Sequence, residues 1–124
     1  MNLSEPQFEG WLSAYGRAWE KKDGEAFGAL FEENGIYYWT PFDDPKKGIP
    51  EIIKAFEDAV ANQDDIEFGA RVLYVEARLG AAHWSCFFTR KATGKRVHLD
   101  GIFVVQFGDN GKALSFKEWW HSDE

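Results

Sequence analysis

One acid stands among residues that are otherwise apolar. If the run from Ala113 to Ser122 is extended, side chains alternate across it. Leu114, Phe116, Glu118 and Trp120 then share one face, and Ser115, Lys117, Trp119 and His121 share the other. Burying Glu118 charged and unpaired would be costly, so it must be paired or protonated. Protonated among aromatic rings, a carboxyl acquires a raised pKa and becomes a general acid/base near neutral pH. Hydrogen-bonded to Tyr15, Tyr37 or an arginine at a strand end, the same carboxyl would merely orient the fold. The residues themselves leave both readings open.

Other chemistry-bearing residues offer less. His83, His98 and His121 lack the i, i+4 spacing of helical metal ligands, and alternation puts all three on the face opposite Glu118. No metal site is expected. His98-x-Asp100 has the spacing of an acid/base pair on one strand face, but because it shares that face with Gln106 it better fits an exposed or interface pair. Cys86 falls between aromatics and is expected to be an inert buried thiol. Neither a P-loop nor a GxGxxG run is present, and no cofactor is expected.

The elements that must position Glu118 change character halfway along the chain. Phe8, Trp11, Leu12, Tyr15 and Trp19 lie on one helical face, opened by Ser4 and Gln7 at capping-box spacing. Asp23 caps a short second helix carrying Ala26, Phe27, Leu30 and Phe31, which Asn34-Gly35 stops. Ile36 to Thr40 is β-branched and aromatic and halts at Pro41, as a short strand does. Phe42 to Gly48 is a loop and a candidate lid, and Ile49 to Val60 is a third helix. Four strands follow: Arg71 to Leu79, Ala82 to Arg90, Arg96 to Phe107, and Ala113 to Ser122 after the Asp109-Asn110-Gly111 turn. Three helices cannot cover both faces of such a sheet, so they are expected to pack on one.

Length and composition bound the rest. The 124 residues make one domain, with 44% hydrophobic residues and 11 Phe, 6 Trp and 4 Tyr. Fourteen basic against 21 acidic side chains leave a net charge of −7, which disfavours nucleic acid as a ligand. A lone cysteine excludes a disulfide framework. No basic-apolar leader and no stretch of membrane-spanning length is present, so a cytoplasmic location is expected.

The order of these pieces resembles the nuclear transport factor 2-like fold, and within it the SnoaL-like branch. The residues that carry the likeness are Trp19-Glu20-Lys21-Lys22-Asp23, Leu30-Phe31 through Tyr37 to Pro41, Gly48-Ile49-Pro50-Glu51-Ile52, Asp109-Asn110-Gly111-Lys112 and Phe116-Lys117-Glu118-Trp119-Trp120. The resemblance covers almost the whole chain and implies one domain over residues 1–124. It implies an α+β cone: a strongly curved, mostly antiparallel, cystatin-like sheet with three N-terminal helices on its concave face.

It also implies a ligand in the mouth of the cone. Ketosteroid isomerases are similar in the tyrosine eight residues before the second helix, here Tyr15 before Asp23, but Trp39, Thr40 and Phe103 stand where their acids belong. Limonene epoxide hydrolases are similar in Tyr37, four residues before Pro41, and in a last-strand acid at Glu118. Their Asn is replaced by Trp39, and their Arg-x-Asp pair by the Trp84, Cys86 and Phe88 face. SnoaL-type cyclases use a late-strand acid, which Glu118 matches.

The resulting expectation is a protein that binds an apolar or aromatic small molecule. Trp19, Trp39, Trp84, Phe103 and Trp120 would line the pocket, with Glu118 as acid/base and Tyr15 or Tyr37 as hydrogen-bond donor. Its chemistry would be cofactor-independent isomerisation, cyclisation or hydration. The alternative is a non-catalytic binding or dimerisation module whose aromatics fill the cone. Trp119 beside Ile102 and Val104 marks the outer sheet face as a homodimer surface.

Overall fold

The computed structural model describes residues 2–124. Ser4 accepts from the Gln7 backbone N–H while the Gln7 side chain accepts from the Ser4 N–H, and this capping box opens α1 (Glu5–Glu20). The helix ends in a Schellman turn. Lys22 takes the left-handed conformation (φ 55°), and the Asp23 N–H reaches back to the Ala18 carbonyl. Asp23 then caps α2 (Gly24–Gly28) through its side chain.

The strand that follows, β1 (Phe31–Tyr38), starts earlier than the β-branched run suggests. Leu30 and Phe31 are therefore not helical, and Asn34-Gly35 lies inside a strand at a bulge rather than at a helix stop. Trp39 and Thr40 fall just beyond the strand end. In the following loop Lys46–Lys47 forms β2, which pairs antiparallel with β1. α3 (Ile49–Val60) has the expected bounds and packs beside α2, with Phe27 and Phe56 stacked at 4.1 Å.

Four long strands complete the chain: β3 (Gln63–Glu76), β4 (Leu79–Arg90), β5 (Arg96–Phe107) and β6 (Ala113–Asp123). β3 begins eight residues before the expected Arg71, and the β3–β4 turn is at Ala77-Arg78 rather than at Gly80. The sheet order is β2-β1-β6-β5-β4-β3, antiparallel throughout except for the β1–β6 pair. All three helices belong to the concave side, as an α+β cone requires.

Curvature has a local cause. β3 changes register twice against β4, between Asp64 and Glu67 and between Val72 and Tyr74, and an inserted residue bends the strand that carries it. A further irregularity lies where Phe107 pairs with Ala113 while Gln106 pairs with Ser115. It turns Ala113 inward and Leu114 outward, so Leu114 is exposed rather than on the Phe116 face where simple alternation puts it. α1 lies across the resulting hollow. Its Trp11 meets Phe107 edge-on at 5.4 Å, and its Tyr15 stacks on Phe116 at 5.5 Å.

Gly101 sits where β6 lies close against β5. A Cβ there would collide with the Trp119 carbonyl and lie 2.9 Å from the Trp120 Cβ. Gly101→Ala should therefore destabilise the fold by about 2 kcal/mol, the usual cost of overpacking. Gly10→Ala, on the open face of α1 with no heavy atom within 4 Å, should stabilise it by about 0.5–1 kcal/mol. Urea unfolding of the two variants checks both signs.

Candidate functional site

Three elements converge on one carboxyl. β6 aims Glu118 into the hollow between Phe116 and Trp120, leaving it 7% exposed. Its Oε1 accepts a hydrogen bond from the Tyr37 hydroxyl of β1 at 3.2 Å. The Tyr37 hydroxyl in turn lies 3.4 Å from that of Tyr15 on α1, and either can donate. Both phenol rings stack on Phe116, at 5.5 Å for Tyr15 and 4.7 Å for Tyr37. The residue two before Glu118 on the same strand face thus holds its hydrogen-bonding partners in place.

Burial is the main influence on this triad. It pushes the Glu118 carboxyl up to about 8, only partly opposed by the Tyr37 hydrogen bond, which favours the ionised form. Burial, followed by the neighbouring Glu118, also holds Tyr37 well above the usual tyrosine range. Tyr15 is raised likewise, by burial first and then by Tyr37. At neutral pH the triad therefore consists of neutral groups. Oε1 is occupied by Tyr37, while Oε2 has no hydrogen-bond partner among the described residues.

That cavity has a volume of about 520 Å³ and opens to solvent. Tyr15, Tyr37 and Glu118 form one part of its wall, and Trp19, Trp84 and Phe88 another. Trp39 and Trp120 stand together at its side, joined by a hydrogen bond from the Trp120 indole to the Trp39 carbonyl at 3.0 Å. Phe103 is not part of the lining. It is fully buried behind the wall, 5.1 Å from Tyr15 and 4.9 Å from Trp84, and supports these rings rather than facing a ligand. At the rim, the Arg90 guanidinium pairs with Glu124 at 2.9 Å.

Gln63 is a lining residue that strand assignment from sequence misses. It is 8% exposed and its Oε1 accepts from the Trp19 indole at 2.7 Å. Placing the start of the strand at Arg71 leaves this residue in a loop. The Ile66/Phe68 alternation ahead of Arg71 was the available signal.

The histidines lie on the other side of the sheet. His83 Nε2 pairs with Asp100 at 3.0 Å, so Asp100 serves His83 and not the His98 two residues before it. His98 stacks on Phe87 at 4.1 Å. No cluster of metal-ligating side chains occurs among the described residues. Cys86 is buried, and its thiol is pushed up to about 12, chiefly by burial. No described helix is long and apolar enough to cross a membrane.

A family model described as a SnoaL-like domain matches residues 12–116. No functionally curated protein matches the sequence. Among solved structures the chain is similar to SalBIII, an epoxide hydrolase/cyclase-like enzyme with a role in pyran ring formation in the polyether salinomycin. The likeness has a TM-score of 0.81 at 17% identity, over 95% of this chain and 93% of that one. A ketosteroid isomerase-like protein from Erwinia carotovora atroseptica SCRI1043 gives 0.73 at 17% identity, over 95% and 96%. A protein of ketosteroid isomerase-like fold from Catenulispora acidiphila DSM 44928, in complex with trimethylamine, gives 0.79 at 14%, over 88% and 83%. At these identities the likeness establishes the fold.

The raised pKa carries a stability signature. Glu118 binds its proton more tightly when folded (about 8) than at the ordinary 4.5 of an unfolded chain. Its contribution is fully present below about pH 4.5 and is lost as pH rises through 8. The loss should reach up to about 4 kcal/mol. Glu118→Gln should flatten this stretch of the stability profile, as chemical denaturation between pH 5 and pH 9 will register.

Proposed function

This chain belongs to the SnoaL-like domain family, and we propose that it binds an apolar or aromatic small molecule in the mouth of the cone and acts on it through Glu118. The observation that carries this reading is a buried carboxyl, Glu118, in the wall of an open, aromatic-lined cavity of about 520 Å³, where burial raises its pKa. A carboxyl kept neutral by an apolar site can donate its proton to an oxygen that gains charge during reaction. Glu118 Oε2 gives the proton to a carbonyl, epoxide or hydroxyl oxygen of the ligand. The carboxylate left behind is held by the Tyr37 hydroxyl on Oε1, with Tyr15 behind it. A proton released from carbon or water restores the acid. No cofactor is invoked, and the reaction class is isomerisation, cyclisation or hydration.

The alternative, a non-catalytic module whose aromatics fill the cone, fits the cavity less well, because the rings that would fill it line it instead. The outer sheet face supports a further part of the reading, a homodimer. Trp119 is 47% exposed opposite Ile102, with Phe87 also exposed on this face. A second copy of the chain is the occupant we propose there, and the cytoplasm is the compartment.

A melting screen over small aromatic and polyketide-like ketones will find ligands, since a compound at 100 times its Kd adds about 2.7 kcal/mol of stability. With a turned-over ligand in hand, Glu118→Gln should cut kcat by about 10²–10⁴ and leave binding nearly unchanged. Full turnover in that variant rejects Glu118 as the acid. Light scattering should report a dimer for the wild type and a monomer for Trp119→Lys, and a monomeric wild type would rule out the interface.

A further inference from the structure

From the hydrogen bonding of Gln63 we infer that the cavity has a second polar anchor, and that its occupant carries a carbonyl-type acceptor oxygen at the end away from Glu118. The Glu118 end of this inference rests on the acid/base reading above, while the Gln63 end stands on its own geometry.

An indole N–H only donates, so the Gln63 atom 2.7 Å from Trp19 Nε1 must be the amide oxygen. That bond fixes the amide plane, because rotating it by half a turn would set NH₂ against N–H. The nitrogen, Nε2, is left on the other side with no hydrogen-bond partner among the described residues, in a side chain that is 8% exposed and lines the cavity. A primary amide nitrogen donates and does not accept. Leaving such a donor unmet when a ligand expels water is costly, so the ligand that fits must bring an acceptor.

The surroundings narrow the choice. Gln63 stands directly opposite Arg90 in the β3–β4 ladder. Arg90 already meets Glu124 through both Nε and NH2, at 3.0 and 2.9 Å, so its charge is answered within the chain, and opposite it the Gln63 amide offers a neutral donor. An uncharged carbonyl oxygen suits that donor, whereas a carboxylate would have to compete with Glu124. Trp84, in the same wall and 5.7 Å from Trp19, has an indole N–H that is also without a partner among the described residues. β4 and β5 separate β3 from β6, so Gln63 and Glu118 face the cavity from opposite flanks of the curved sheet. The substrate class is therefore an apolar body with two separated oxygens, one to receive the Glu118 proton and one to accept from Gln63.

Two shape-matched probes test this, 6-acetyl-2-naphthol and 6-isopropyl-2-naphthol, titrated by tryptophan fluorescence and calorimetry. The wild type should bind the acetyl compound about fivefold more tightly, the worth of one hydrogen bond. Gln63→Met should abolish that preference by weakening the acetyl compound alone. Because Gln63→Met orphans the Trp19 indole, the double variant Trp19→Phe/Gln63→Met provides a second test with no orphan and should show the same lost preference. Glu118→Gln should shift both probes together and keep the ratio. A wild type that prefers neither probe or binds neither, or a ratio unchanged in the Gln63 variants, overturns the inference. Loss of turnover in Glu118→Gln is a separate readout, so the anchor and the acid/base role can fail independently.

Discussion

A carboxyl removed from water among aromatic rings has to keep its proton, and the design of this cone follows from that constraint. Ionised Glu118 would have one hydrogen bond, from Tyr37, to set against the loss of hydration, and that bond does not suffice to restore an ordinary pKa. The proton is retained, as the proposed acid/base role requires. The surrounding rings sustain this state: Phe116 stacks on both Tyr37 and Tyr15, and Phe103 seals the wall behind. The same apolarity that raises the pKa is what suits the cavity to the apolar ligand proposed for it.

The aromatic excess divides among three tasks. Rings such as Phe8, Phe31, Phe103 and Phe107 are sealed in the core and give the small domain its stability. Others, among them Trp39, Trp84 and Trp120, line the hollow. Trp119 and Phe87 lie on the outer face. The division depends on curvature, since a flat sheet under three helices would bring the inward rings together and close the space. Register changes in β3 bend the sheet enough to keep it open.

Much of this was legible from periodicity and capping. The Ser4–Gln7 box, the Asp23 cap, the bounds of α3 and β5, and the inward direction of Glu118 follow from local chemistry that tertiary packing did not override. The misplaced features are those decided by pairing across the sheet. β3 starts at Gln63 because its acidic, low-propensity opening is held by β4, a partner that local pattern does not reveal. Phe31 turns extended for a similar reason, as it pairs with Ala113. One inserted residue in β6 was enough to expel Leu114, and Gln63 was lost to view with the strand that carries it. Alternation put Phe103 on the correct face, but burial depth is set by what packs above it, here Tyr15.

The central claim is that Glu118 is a neutral acid at physiological pH, and carbon-13 NMR of side-chain-labelled glutamate reads its titration directly, with Glu118→Gln assigning the resonance. The carboxyl carbon of Glu118 should titrate near pH 8, and higher still in Tyr37→Phe, where the hydrogen bond that favours ionisation is gone. A midpoint near the ordinary 4.5 would contradict the account, since the carboxyl would then be a solvated or fully paired carboxylate with no proton to give.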